Sequence, residues 1–340
     1  MATSANSSTK LSISKIADAL GVSKATVSWV LSGQGDAKRI SCATQKKIKD
    51  YAEDHNYRPN MLARSLSLGV TKTVGLLISS LADPFYSSIA KSVVEEAEKY
   101  GYTVTISTSE SDHDREAALV DSLNRRRVDG FIVTPTEGAA WLDEYVAGGG
   151  NLILVDRPVP GSSIPYVGVD NEQSSYRLVS HLISKGCRKI AIFTTAHNLV
   201  NMQARHEGYL RALKDAGIEP DEKLIRNVAS AADQQMIEAE LSALLADVPD
   251  LDGIFFTTHV LVLPTYVYFS KVDKMDEGGA RWACIHSLPE FEILLPKMSI
   301  AQMDISRVGA SAMDMLVAQI EQGIAPKESK YIIECEMKLR

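Results

Sequence analysis

Apolar residues recur at helical spacing three times near the N-terminus, and the pattern then changes for the rest of the chain. Ile13, Ile16, Ala17 and Leu20 make the first stripe, with Ser12 placed to cap it and Gly21 to break it. Ser23 caps a second helix with Ala25, Thr26, Val27, Val30 and Leu31 as its body and Gly33 and Gly35 as its end. A third opens at Thr44 and runs to about His55, turning Ile48, Tyr51 and Ala52 inward. Two short helices joined by a Gly-containing turn make a helix-turn-helix, whose second helix is the one that enters a DNA major groove. Arg58-Pro59 stops the third helix, and Pro59 suits the start of a further short one, Asn60 to Leu68, ended by Gly69. A helix so short is marginal in water, so it is expected to order against a partner subunit or DNA.

From Thr71 short apolar runs alternate with amphipathic stretches. Strands are expected at Val74–Ile78, Thr103–Ser107, Gly130–Val133, Asn151–Val155, Lys189–Phe193, Gly253–Thr257 and Trp282–Ile285. Helices are expected at Phe85–Tyr100, Glu116–Arg126, Ser174–Lys185, Gln203–Ala216, Gln234–Leu245 and Val308–Glu321. Buried strands alternating with helices mean parallel sheets covered on both faces. Some 270 residues of this pattern exceed one small sheet, so the core reads as two α/β lobes with a cleft between them. Ligands of such sheets sit beyond the strand C-termini. The domains expected are a helix-turn-helix at 1–58, a hinge helix and linker at 59–70, and the two-lobed core at 71–340.

Composition narrows the class. With 45% apolar and 23% charged residues over 340 positions, the chain reads as soluble and globular, with two or three domains. Its longest nearly uncharged apolar stretch, Val260 to Phe269, is broken by Pro264 and too short to span a bilayer. The polar N-terminus lacks the apolar segment of a secretory signal, and the four cysteines are scattered without metal-site or disulfide spacing. A reducing compartment, the cytoplasm, is expected. Charge is uneven: residues 1–72 hold 11 Lys and Arg against 5 Asp and Glu, the remainder 25 against 38. A basic head on an acidic body suggests that only the head meets a polyanion.

The run Ile13-Ser-Lys-Ile-Ala-Asp-Ala-Leu-Gly-Val-Ser-Lys-Ala-Thr-Val-Ser28 resembles the lactose-repressor (LacI/GalR) family of transcription regulators, as does Asn56-Tyr-Arg-Pro-Asn-Met-Leu-Ala-Arg-Ser-Leu66. The resemblance continues through Thr73-Val-Gly-Leu76, Asp83-Pro-Phe85, Val128-Asp-Gly130, Val155-Asp-Arg157 and Arg205-His-Glu-Gly-Tyr209, and so covers nearly the whole chain. It implies an all-α head and hinge joined to a periplasmic-binding-protein-like core. It also implies a homodimer on a pseudo-palindromic double-stranded DNA operator, and a repressor of carbohydrate-related genes set by a small sugar or phosphosugar.

By that resemblance Lys24 and Ala25 touch base edges, Lys24 as a donor to guanine and Ala25 as a methyl contact to thymine. Ser23, Thr26, Ser28, Ser41 and Thr44 suit phosphate positioning, with helix capping as the plainer reading of each. Leu66 is the minor-groove wedge, with Asn60, Ala63 and Arg64 facing groove and backbone. Trp29 stands where the family usually carries Arg, and the loop Gly33–Ile40 is about three residues longer than the family's pattern. Trp29 either packs on DNA, at a sugar edge or thymine methyl, or belongs to the core.

The implied effector cleft takes Phe85, Tyr86, Asp156, Asn201, Arg205, Thr258, His286 and Gln302. Arg205 suits a hydroxyl pair or a phosphate, the aromatics suit sugar faces, and Asp156 accepts from hydroxyls. Phe85 reads equally as core. The family's Asn-Asp and Asp-Asp pairs are replaced by Thr258-His259 and His286-Ser287, so either the effector is phosphorylated or acidic, or the site has lost its ligand. His259 and His286 without a third ligand do not suggest metal. Asp112-His-Asp-Arg115 reads as a helix cap and Arg125-Arg-Arg127 as a helix end. No nucleophile–base motif, dinucleotide fingerprint or P-loop suggests an enzyme, and neither cofactor nor membrane partner is expected. A periplasmic sugar-binding protein is the remaining rival, opposed by the basic head.

Overall fold

The computed structural model describes residues 11–57, 69–139, 141–195, 198–228, 233–275, 279–323 and 329–340. The chain divides into two compact units, Met1–Thr71 and Lys72–Arg340.

In the first unit, helices α1 (Ile13–Leu20), α2 (Lys24–Leu31) and α3 (Cys42–Asp54) close on Ile16, Ala17, Val27, Val30, Ile48 and Ala52. Each start is set by a serine. Ser12, Ser23 and Ser41 accept from the backbone N–H three residues on, at 3.3, 3.0 and 3.3 Å. The third helix therefore begins at Cys42 rather than Thr44, because Ser41 is its cap. Gly21 ends α1 in the left-handed region, at φ 64°. The hinge residues Asn60, Ala63, Arg64 and Leu66 lie outside the described residues.

The second unit holds two six-stranded sheets of matching order. The first contains β1 (Thr73–Ile78), β2 (Thr103–Thr108), β3 (Phe131–Val133), β4 (Leu152–Val155) and β5 (Tyr166–Val169). Helices α4 (Pro84–Lys99), α5 (His113–Arg125) and α6 (Trp141–Ala147) accompany them. After α7 (Asn171–Ser184) the second sheet contains β6 (Ile190–Thr195), β7 (Ile225–Val228), β8 (Gly253–Phe256), β9 (Trp282–Ile285) and β10 (Ser299–Gln302). Its helices are α8 (Val200–Asp215), α9 (Gln234–Asp247), α10 (Val262–Lys271) and α11 (Phe291–Leu294), followed by α12 (Ile305–Gln322). The chain crosses between lobes at α7, which packs on β8 to β10, and at α12, which packs on α4 and β3 to β5.

The segment Tyr331–Met337, strand-like in sequence, is two strands: β11 (Lys330–Ile333) in the first sheet and β12 (Glu336–Lys338) in the second. β11 runs parallel to β5, whereas β12 is antiparallel to β10. Strand C-termini in both lobes point at the cleft, so a chain leaving one sheet there enters the other at the C-terminal ends of its strands and runs against them. The sheets are thus parallel but for this edge strand. Asp112 caps α5, accepting from Arg115 N at 2.8 Å, and Arg125 closes that helix.

Close helix crossing fixes the second lobe. A Cβ on Gly208 of α8 would overlap the Glu172 carbonyl oxygen and crowd Ser175 on α7. Backbone cannot retreat as a side-chain tip can, so Gly208→Ala is expected to cost about 1–3 kcal/mol. Urea unfolding of the full chain reads this as a lower midpoint with an unchanged slope.

Candidate functional site

The head presents one polar helix face. On α2 Val27 and Val30 are buried while Lys24, Ala25, Ser28 and Trp29 are exposed, the offsets of a single stripe. Ser23 and Ser41 spend their hydroxyls on capping and on Thr26 Oγ1 and Thr44 Oγ1, at 2.8 and 2.9 Å. Trp29 keeps 37% of its surface exposed and so is not core. Lys38 Nζ lies 5.2 Å from its ring centre.

In the core, the C-terminal ends of strands from both lobes meet at a cavity of about 50 Å³. Phe85, Tyr86, Asp156, Asn201, Arg205, Thr258 and His286 line it, joined by Asp83, Met202, His259, Ile285 and Met303. Asp156 and His286 hold equivalent places after β4 and β9, each donating its backbone N–H to the neighbouring strand. Both take a left-handed backbone, φ 70° and 64°, a region that Asp and His adopt more readily than most side chains.

The polar groups are largely committed to one another. Asp156 Oδ2 accepts from Arg157 Nη1 at 3.0 Å and Tyr86 OH at 3.5 Å, and Asn201 Nδ2 from the other lobe reaches both oxygens at 3.3 Å. Arg157 also donates to Pro135 O at 2.7 Å, Tyr86 OH at 3.2 Å and Ser79 Oγ at 3.2 Å. Burial alone would lower its pKa, but the Tyr86 and Asp156 oxygens raise it.

Arg205 is buried, with Nε on Asn171 Oδ1 at 2.7 Å and Nη1 on Thr257 O at 2.5 Å. Its planar fork is half spent on holding itself, and burial lowers its pKa. His286 Nδ1 accepts from Gln302 Nε2 at 3.1 Å, which leaves Nε2 as the ring's donor. Gln302 therefore holds His286 from behind and does not line the cavity. Burial, then the neighbouring His259 and Arg205, push the His286 pKa down to about 3. Phe85 both lines the cavity and packs in the core. It belongs to the core cluster and meets Tyr86 and His286 edge-on, with ring centres 5.0 and 5.4 Å away.

The expected cleft set left out Asp83 and Arg157, which entered only as motif residues, and His259, which was weighed only as a metal ligand. His259 Nε2 stands 3.2 Å from Asp83 Oδ1, joining the lobes a second time. Burial works to raise the Asp83 pKa, but His259, the Phe85 backbone N–H and His286 together hold the carboxylate below its usual value. Asp83 also caps α4, which the Asp83-Pro84 pair signals. Among the described residues no three His, Cys, Asp or Glu side chains are placed to hold a metal ion. A larger open depression of about 420 Å³, between Asn124, Glu144 and Gly148 to Asn151, lies away from the strand C-termini. Among the described residues no helix is long and apolar enough to cross a membrane.

Residues 12–60 match the family model of bacterial regulatory proteins of the lacI family. Residues 71–337 match that of periplasmic binding proteins and the sugar binding domain of the LacI family. The ribose operon repressor of Halalkalibacterium halodurans is 27% identical over 303 residues, 88% of either chain. The HTH-type transcriptional regulator KdgR of Bacillus subtilis is 24% identical over 335 residues, 96% of this chain and 95% of that one. The crystal structure of the lac repressor dimer bound to operator and the anti-inducer ONPF shares the fold. It superposes with a TM-score of 0.83 at 19% identity, covering 96% of this chain and 97% of that one. The chain is a DNA-binding transcriptional regulator and belongs to the LacI family of bacterial regulatory proteins.

Proposed function

We propose that this regulator is a cytoplasmic repressor of carbohydrate-related genes that binds a pseudo-palindromic operator as a homodimer. A small sugar or phosphosugar in the core cleft sets its affinity for DNA. In this reading residues 1–58 are the DNA-binding head, 59–70 the hinge and 71–340 the effector core, which binds its ligand without transforming it. Lys24, Ala25 and Trp29 face bases, Ser23, Thr26, Ser28, Ser41 and Thr44 lie by phosphates, and Asn60, Ala63, Arg64 and Leu66 act at the hinge. Phe85, Tyr86, Asp156, Asn201, Arg205, Thr258 and His286 face the ligand, with Gln302 behind His286.

The observation that carries the reading is one chain holding an exposed recognition-helix face and a cleft whose polar lining comes from both lobes. Sugar-sized pockets run to roughly 300 Å³ or more, so the cavity must open for a ligand to enter. Entry would break the Asn201–Asp156 contact, and a ligand that favours one lobe arrangement must couple to DNA reciprocally.

The test is binding of the full chain to fragments of its own upstream region across a salt series. A saturable, palindromic footprint that survives moderate salt is expected, and lost on removal of residues 1–70. Binding that weakens with salt alike on every fragment would overturn sequence-specific regulation.

A further inference from the structure

The lengthened loop after α2 is built, not slack. Gln45 Nε2 donates to both Asp36 Oδ1 and Ile40 O at 2.8 Å, tying the loop to α3. Ile40 N closes it on Gly35 O at 2.9 Å, and Arg39 turns the chain at φ 54°. A Cβ at Gly35 would collide with the Gln45 side chain, so glycine is what lets that tie form. The result is a lysine held beside the recognition helix, its ammonium over the indole of Trp29.

Trp29 sits four residues after Ala25 on the same exposed stripe. Its indole offers one N–H donor and no fork, so it cannot read guanine as a bidentate cation does. What it offers is a large apolar plate with a positive charge beside it. That combination matches an apolar base edge next to a phosphate.

Resting on the reading that α2 enters the major groove, we propose that Trp29 and Lys38 form one composite DNA contact. The indole packs on a thymine methyl and thereby selects sequence, while the Lys38 ammonium neutralises the adjacent phosphate. The loop ties of Gln45 fix the spacing between the two.

The test uses the full chain and a duplex that it selects from a random pool, with affinity measured across a salt series. Lys38→Gln is expected to lower the slope of log affinity against log salt by about 1.8, one phosphate in each half-site of the dimer's operator, with the selected sequence unchanged. Trp29→Ala is expected to lose about tenfold at every salt and, on reselection, to lose a thymine preference in each half-site. Lys38 is exposed and Trp29 lies outside the head's core cluster, and thermal melting of each variant separates any loss of folding from a loss of DNA contact. An unchanged slope for Lys38→Gln, or unchanged affinity and sequence for Trp29→Ala, overturns the composite contact. If the wild type itself selects no sequence, the groove reading fails and this inference falls with it.

Discussion

Replacing Arg157 by methionine is expected to lower the unfolding free energy of the core by about 3–5 kcal/mol. The guanidinium is buried and makes four hydrogen bonds, one of them to a carboxylate that is itself only 7% exposed. Methionine fills much of the volume but leaves Asp156 as a buried anion, with only Tyr86 and Asn201 as donors. Desolvating an unpaired charge costs more than the pair contributes, so the loss comes chiefly from the orphaned partner. A double-mutant cycle separates the two. Arg157→Met combined with Asp156→Asn should recover more than half of the loss, because the amide carries no charge. Urea midpoints at one fixed protein concentration read both effects, since dimerisation would shift them with concentration. Equal losses for the single and double variants would mean that Arg157 acts through Pro135 and Ser79 alone. Its role would then be to brace the loop after β3 and not to neutralise the cleft.

Arg157 also shows where reading the chain stops. The strands that came through clearly are fully buried ones, such as β1, β4 and β9, where both faces are apolar and the run is unbroken. β7, with Arg226 and Asn227 inside it, is a half-exposed edge strand and carries no such run. The apolar stretch from Val260 became α10 because Pro264 falls in its first turn, where a missing N–H costs nothing. In the cleft, resemblance brought Tyr86, Asp156, Asn201, Arg205 and His286 to one cavity, yet nothing local in the sequence pairs Asp156 with Tyr86 and Asn201, or Arg157 with Ser79 and Pro135. Those commitments come from neighbours far apart in the chain, as does the meeting of Asp83 with His259. Capping residues, by contrast, were legible because their partners lie three positions on.

His286 should make the stability of the core fall with acid by about 1.4 kcal/mol per pH unit between pH 6.5 and about 3. In the folded chain its ring is held neutral by burial and by His259 and Arg205, against the opposing pull of Asp83. The unfolded chain, with its histidine near 6.5, takes up a proton that the folded chain refuses. The unfolded state therefore binds more protons throughout that window, and stability rises with pH across it. Well above pH 6.5 neither state is charged and the effect vanishes. Many carboxylates also titrate in acid, so the difference from His286→Asn is the informative quantity. Asparagine tolerates the left-handed backbone at φ 64° and has no proton to gain. Between pH 6.5 and 5 the wild type should lose about 1.7 kcal/mol relative to that variant in urea unfolding. Parallel pH curves would show that the ring protonates in the folded state. Held neutral, the ring keeps one tautomer near neutral pH: Nδ1 accepts from Gln302, and Nε2–H is left to donate. The family's carboxylate at this position accepts, whereas His286 donates. In the effector reading proposed above, reversing the polarity of that one group would select for a ligand that brings an acceptor there, without dependence on pH near neutrality.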